Sequence, residues 1–165
     1  MRTINLFVVH CSATREDCTL SPEALDVMHR RRGFNGTGYH YYIRKDGTLY
    51  LTRSLERIGA HAKGFNAHSI GICYEGGLDC RGHPADTRTP AQRATLRQLG
   101  ADLGLRFPGC RVCGQRDLSP DLNGNGEIEP EEWIKQCPCF DASREFGESA
   151  TEAVSTKEHR VTQLF

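Results

Sequence analysis

The first apolar run, Ile4-Asn5-Leu6-Phe7-Val8-Val9, is short, nearly continuous and partly β-branched. Such a run predicts a buried central strand, which delivers His10-Cys11-Ser12-Ala13-Thr14 at its carboxyl end. Ser21-Pro22 then opens a helix, with Ser as cap and Pro in the first turn. Leu25 and Met28 supply its apolar face, Arg30 to Arg32 suit its C-terminal dipole, and Gly33 stops it. Tyr39 to Arg44 and Thr48 to Thr52 flank Lys45-Asp46-Gly47, and Asp-Gly between β-rich runs predicts a hairpin. Ser69 to Tyr74 is a second buried strand, ended by Glu75-Gly76-Gly77. Thr89-Pro90-Ala91-Gln92 has the signature of a capping box. Leu96, Leu99 and Leu103 follow on one helical face, with Gly100 and Gly104 weakening the helix, and Phe107-Pro108-Gly109 ends it. Arg111-Val112 can add a short strand.

This order predicts an α/β fold: one domain with a central mixed β-sheet flanked by helices. A chain of 165 residues fits one domain at roughly 100–200 residues per domain. The domain is expected over 1–141 and a polar tail over 142–165. Lys plus Arg and Asp plus Glu both total 21, a balance that argues against a nucleic-acid binder. No stretch approaches the ~20 apolar residues of a membrane span, so no membrane partner is expected. The apolar run after Met1 is too short for a secretory signal, which leads to an expectation of cytoplasmic synthesis. In that setting the eight cysteines read as reduced thiols or metal ligands. Cys11, Cys18, Cys73 and Cys80 read as small semi-buried hydrophobes. Cys110-x-x-Cys113 with Cys137-x-Cys139 is a poor match to a four-thiolate zinc site.

Asp121 to Glu132 fits a twelve-residue calcium loop. Asp121, Asn123 and Asn125 occupy positions 1, 3 and 5, and Gly126 sits at the sharp turn. Glu127 would offer its backbone carbonyl, Ile128 is the usual apolar residue, and Glu132 is the closing carboxylate. An EF-hand-like calcium loop, inserted at 121–132, is therefore expected near the C-terminal end. No helix precedes it, and an Asn-Gly-rich turn that needs no ion is the other reading.

Taken in series, Val9-His10-Cys11-Ser12-Ala13-Thr14, Gly38-Tyr39-His40, Gly59-Ala60-His61-Ala62-Lys63-Gly64-Phe65-Asn66, Ser69-Ile70-Gly71-Ile72 and Lys135-Gln136-Cys137-Pro138-Cys139-Phe140-Asp141 are distinctive. Together they resemble the zinc-dependent N-acetylmuramoyl-L-alanine amidases of the phage-lysozyme and peptidoglycan-recognition type, across about residues 4 to 141. The resemblance implies cleavage of the amide between N-acetylmuramic acid and L-alanine of the peptidoglycan stem peptide. It implies zinc as cofactor, with His10 and Cys137 as ligands and Gln115 at the position where the family carries a further histidine. It assigns Tyr39 and Lys135 to catalysis, and His61, Lys63 and Asn66 to the substrate groove. Neutral charge and cytoplasmic synthesis suit a lysis enzyme that reaches the wall only when the membrane is opened. Gln115 opens the alternative of an impaired peptidoglycan-binding module, because an amide oxygen is a poorer zinc partner than imidazole.

Overall fold

The computed structural model describes residues 1–146. Its strands are β1 (Leu6–Cys11), β2 (Thr14–Arg15), β3 (Tyr41–Ile43), β4 (Leu49–Leu51), β5 (Ser69–Tyr74), β6 (Gly77–Leu78) and β7 (Arg111–Gly114). Its two long helices are α1 (Pro22–Arg31) and α2 (Pro90–Arg106). Five strands form one sheet in the order β4-β3-β5-β1-β7. β4 runs antiparallel to β3, and the remaining neighbours are parallel, so the sheet is mixed. β2 and β6 form a separate parallel pair.

Strand alternation explains why one face carries the core and the other carries chemistry. Phe7, Val9 and Cys11 of β1 join Ile70, Ile72 and Tyr74 of β5 against Leu96, Leu99 and Leu103 of α2. The intervening positions, Leu6, Val8 and His10, lie on the opposite face with Cys113 of β7. β1 is an interior strand between β5 and the edge strand β7 and not the middle one of the five, and His10 is the last residue on this face of that fully buried strand. Both helix starts form as their caps require. Ser21 accepts the Ala24 N–H, and Thr89 and Gln92 close a reciprocal capping box.

Three local expectations are corrected. Met28 is 46 % exposed, and the buried stripe of α1 is instead Leu25 with His29, an i,i+4 pair. The expected boundary between 141 and 142 falls inside the packed region. Residues 142–146 are helical, and Ala142 and Phe146 join the main core. The rest of the expected tail, 147–165, lies outside the described residues. Gly100 is a seat for the Phe146 ring as well as a weak helix former, because a Cβ there would lie 2.4 Å from it. Of the four cysteines expected to be semi-buried, Cys11 and Cys73 are buried, whereas Cys18 and Cys80 are exposed.

Candidate active site

The site forms where β1 and β7 end. Gln115 follows β7 directly in a short 3-10 turn, Gln115–Leu118. The segment 135–140 returns against it: the Arg116 N–H donates to the Cys137 carbonyl at 2.8 Å, and Tyr74 donates its hydroxyl proton to the Pro138 carbonyl at 2.7 Å. Gly114 permits this approach, because a Cβ there would lie 2.4 Å from the Pro138 ring. Cys137 is thereby laid along the end of β1, where its Sγ accepts the Cys11 N–H at 3.2 Å.

His10 is 1 % exposed and held from both sides. Its Nδ1 lies 3.2 Å from Gln115 Oε1, and its Nε2 lies 2.9 Å from His61 Nδ1. A carbonyl oxygen only accepts, so the Gln115 contact assigns the proton to His10 Nδ1. Nε2 then accepts from His61 Nδ1, and His61 Nε2 accepts from the Ser69 hydroxyl at 3.2 Å. Burial pushes His10 down to about 3; the Lys135 cation adds to this, while the Gln115 hydrogen bond opposes it. Burial also lowers His61 to about 2, with the neighbouring His10 and His40 contributing. Both imidazoles are neutral near pH 7.

Tyr39 completes the group, its ring 5.0 Å from that of His10 and 5.3 Å from that of His29. Burial raises its phenol well above the usual range, so it stays protonated. A cleft of about 150 Å³ opens beside these residues, lined by Lys63, Phe65, Gln115, Leu118, Ile134 and Lys135 among others. The structure thus gathers His10, Tyr39, His61 and Gln115, and it puts Lys63 and Lys135 on the cleft that Gln115 lines.

Asn66 is placed differently from the expectation of a groove contact. Its side-chain oxygen accepts the N–H groups of His61 and Ala62, both at 2.9 Å, so it shapes the loop that presents His61. Gly71 is equally necessary, since a Cβ there would fall 2.6 Å from the His61 ring. His29 was missed in the sequence. Its Nδ1 accepts the Gly38 N–H at 2.8 Å and its ring supports Tyr39; the four-residue spacing from Leu25 was the available signal.

The loop at 121–132 closes on its own backbone. Asp121 accepts from Gly124 and Gly126 at 2.6 and 2.8 Å, and Glu132 accepts from Leu122 and Glu129 at 2.7 and 3.0 Å. These N–H donors hold both carboxyls below their ordinary range. Among the described residues, no three His, Cys, Asp or Glu side chains converge on a point that could hold a metal. At the zinc position the family implies, the chain offers an imidazole, a thiol and a neutral amide. This donor set does not fit the three strong protein ligands of a catalytic zinc.

Residues 1–129 match the family model described as N-acetylmuramoyl-L-alanine amidase. The chain is 35% identical over 136 residues to an endolysin of Klebsiella phage KP32, covering 82% of this chain and 81% of that one. It is 34% identical over 136 residues to an endolysin of Escherichia phage T7, with the same coverage. Among solved structures it resembles the amidase LysC from Clostridium intestinale URNW, with TM-score 0.67, 27% identity, and coverage of 92% of this chain and 86% of that one. The chain belongs to the N-acetylmuramoyl-L-alanine amidase family, and it is a peptidoglycan-hydrolysing amidase.

Proposed function

We propose that the chain cleaves the lactyl amide between N-acetylmuramic acid and L-alanine at the cleft beside His10. The observation that carries this reading is Gln115, which lines the cleft with Lys135 and hydrogen-bonds the buried His10, whose ring in turn lies beside Tyr39. Water adds to the amide carbonyl, the C–N bond breaks, and a lactyl carboxylate and an L-alanine amine are left. Lys135, exposed at the rim, is the cation suited to the developing oxyanion. Tyr39, kept protonated by burial, is suited to donate a hydrogen bond to the same oxygen or to the leaving nitrogen. Lys63 and His61 are the groove residues of this reading, His61 acting through its contact with His10.

Zinc would have only His10 and Cys137 as strong donors, with Gln115 as a neutral third. The same mismatch supports the second reading, a binding module with impaired hydrolysis. Gln115→His separates the two. It should raise zinc stoichiometry and stem-peptide release together, and Cys137→Ser in that background should cancel both gains. Equal zinc and equal activity in wild type and Gln115→His would refute the view that this position limits the site. Muropeptide binding with no release from either protein would favour the binding module.

Calcium at Asp121, Asn123, Asn125, the Glu127 carbonyl and Glu132 is proposed on the loop spacing alone. Calcium should then raise the thermal midpoint and Glu132→Ala should abolish the response; an unchanged wild-type midpoint would make the loop an ordinary turn. We further propose that the enzyme is made in the cytoplasm and meets the wall once the membrane is opened, which fractionation before and after membrane permeabilisation would test.

A further inference from the structure

Lys135 stands in a stretch, 133–136, that belongs to neither helix nor strand, so its position depends on what ties that stretch down. The anchor is the 3-10 turn Gln115–Leu118, which lines the same cleft through Gln115 and Leu118. Hydrogen bonds cross between the two segments on either side of Lys135. The Ile134 N–H donates to the Ser119 hydroxyl oxygen at 3.1 Å, and the Arg116 N–H donates to the Cys137 carbonyl at 2.8 Å. A side-chain contact joins them: the Arg116 guanidinium carbon lies 4.0 Å from the centre of the Trp133 ring. That is well inside the ~6 Å reach of a cation over an aromatic face.

The polar atoms of this pair add a second, independent observation. Arg116 Nε and Trp133 Nε1 are both buried, and among the described residues neither finds a hydrogen-bond partner. A buried donor without an acceptor costs free energy, so hydrogen bonding by these atoms does not account for the pair. The indole has no other polar atom, and what Trp133 offers Arg116 is its face. The contact sits at the exit of the 121–132 loop. The carboxylates of that loop are hydrogen-bonded to its own backbone, and the stack meets the turn that follows β7.

We propose that Arg116 is a positioning residue for Lys135: stacked on Trp133, it holds the 133–137 segment so that the Lys135 ammonium stands at the cleft where the oxyanion develops. This rests on the reading of Lys135 given above. A cation stabilises a developing negative charge only where it is already in place, and a small misplacement lowers the rate steeply. Loss of the stack leaves the two crossing hydrogen bonds, so the segment keeps its course and gains freedom about Lys135. The residues lining the cleft are unchanged, so the effect falls on the rate of the bound substrate and not on its binding.

The test measures stem-peptide release from a soluble muropeptide by the full chain and its variants. Arg116→Gln removes the charge and should lower kcat about tenfold, with KM within about twofold of wild type. Trp133→Phe keeps an aromatic face and should hold kcat within about threefold of wild type, whereas Trp133→Leu should fall as far as Arg116→Gln. Added to Lys135→Ala, Arg116→Gln should change kcat by less than about twofold, because both act through one ammonium. Trp133 is the single tryptophan of the chain, so its near-ultraviolet circular dichroism reports the stack. That band should weaken in Arg116→Gln and persist in Lys135→Ala. The Trp133 pair decides alone if Arg116→Gln does not fold. A loss that repeats in full on top of Lys135→Ala, a raised KM with kcat unchanged, or a Trp133→Phe as poor as Trp133→Leu would each overturn the proposal and leave the reading of the cleft in place. No release from the wild type, or wild-type rates from Lys135→Ala, would refute that reading and the proposal with it.

Discussion

His40 gives the most quantitative handle on the buried histidines around the site. It is 0 % exposed, its Nδ1 accepts the Gly71 N–H at 3.1 Å, and its Nε2 lies 2.9 Å from the Arg57 carbonyl. These partners fix the neutral tautomer with the proton on Nε2. The Arg2 guanidinium, 3.1 Å away, finds no acceptor there and disfavours a second charge. Burial, with Arg2 and Arg53 contributing, lowers His40 to about 4, whereas an unfolded histidine titrates near 6.5. The folded value is the lower one, so this stability is complete above pH 6.5 and is lost as the pH falls toward 4. At pH 5 the unfolded chain is stabilised by about 2 kcal/mol through this one proton. His10 and His61, lowered to about 3 and 2, act in the same direction. Together the three approach ~6 kcal/mol, comparable with the whole stability of a domain at ~5–15 kcal/mol. Urea titrations at closely spaced pH values should show stability falling steeply below pH 6. His40→Gln keeps an acceptor for Gly71 and a donor for Arg57, and should flatten that slope by about 1.4 kcal/mol per pH unit. A wild-type stability unchanged from pH 7 to 5, or a His40→Gln slope equal to wild type, would refute the reasoning.

Two further substitutions probe how the site is held. Glu75, 1 % exposed, accepts from the Leu20 and Lys45 N–H groups and pairs with Arg44 at 2.7 Å, so Glu75→Leu strands those donors and should cost about 3–5 kcal/mol in chemical denaturation. A loss below 1 kcal/mol would show that solvent reaches the donors. Gly71→Val should displace the His61 ring and lower release of stem peptides at least tenfold; unchanged release in a folded variant would show that the His61 contact with His10 is dispensable.

The local parts of the fold were legible because their causes are local. The Ser21 and Thr89 caps, the Asp46-Gly47 turn and the strand Ser69–Tyr74 depend on neighbours a few positions away, and each stands where expected. The β2 and β6 pair was not legible, since two-residue strands arise from tertiary proximity and carry no pattern. Residues 142–146 read as polar tail because only Ala142 and Phe146 of that stretch are apolar, yet both are buried. At the site, the series of motifs pointed to His10, Tyr39, Gln115 and Lys135 together. The contact between His10 and His61 was hidden, because it depends on Gly71 making room from across the sheet and on Asn66 shaping the loop.

The central claim is that this cleft hydrolyses the bond between glycan and stem peptide. The direct measurement is mass spectrometry of purified walls digested with the full chain, beside Lys135→Ala and Tyr39→Phe controls. The account predicts stem peptides that begin with a free L-alanine amine, glycan strands that keep intact lactyl carboxylates, and release at least tenfold lower from both controls. Release of sugar fragments with peptides still attached, cleavage within the stem peptide, or undiminished release by both variants would contradict it.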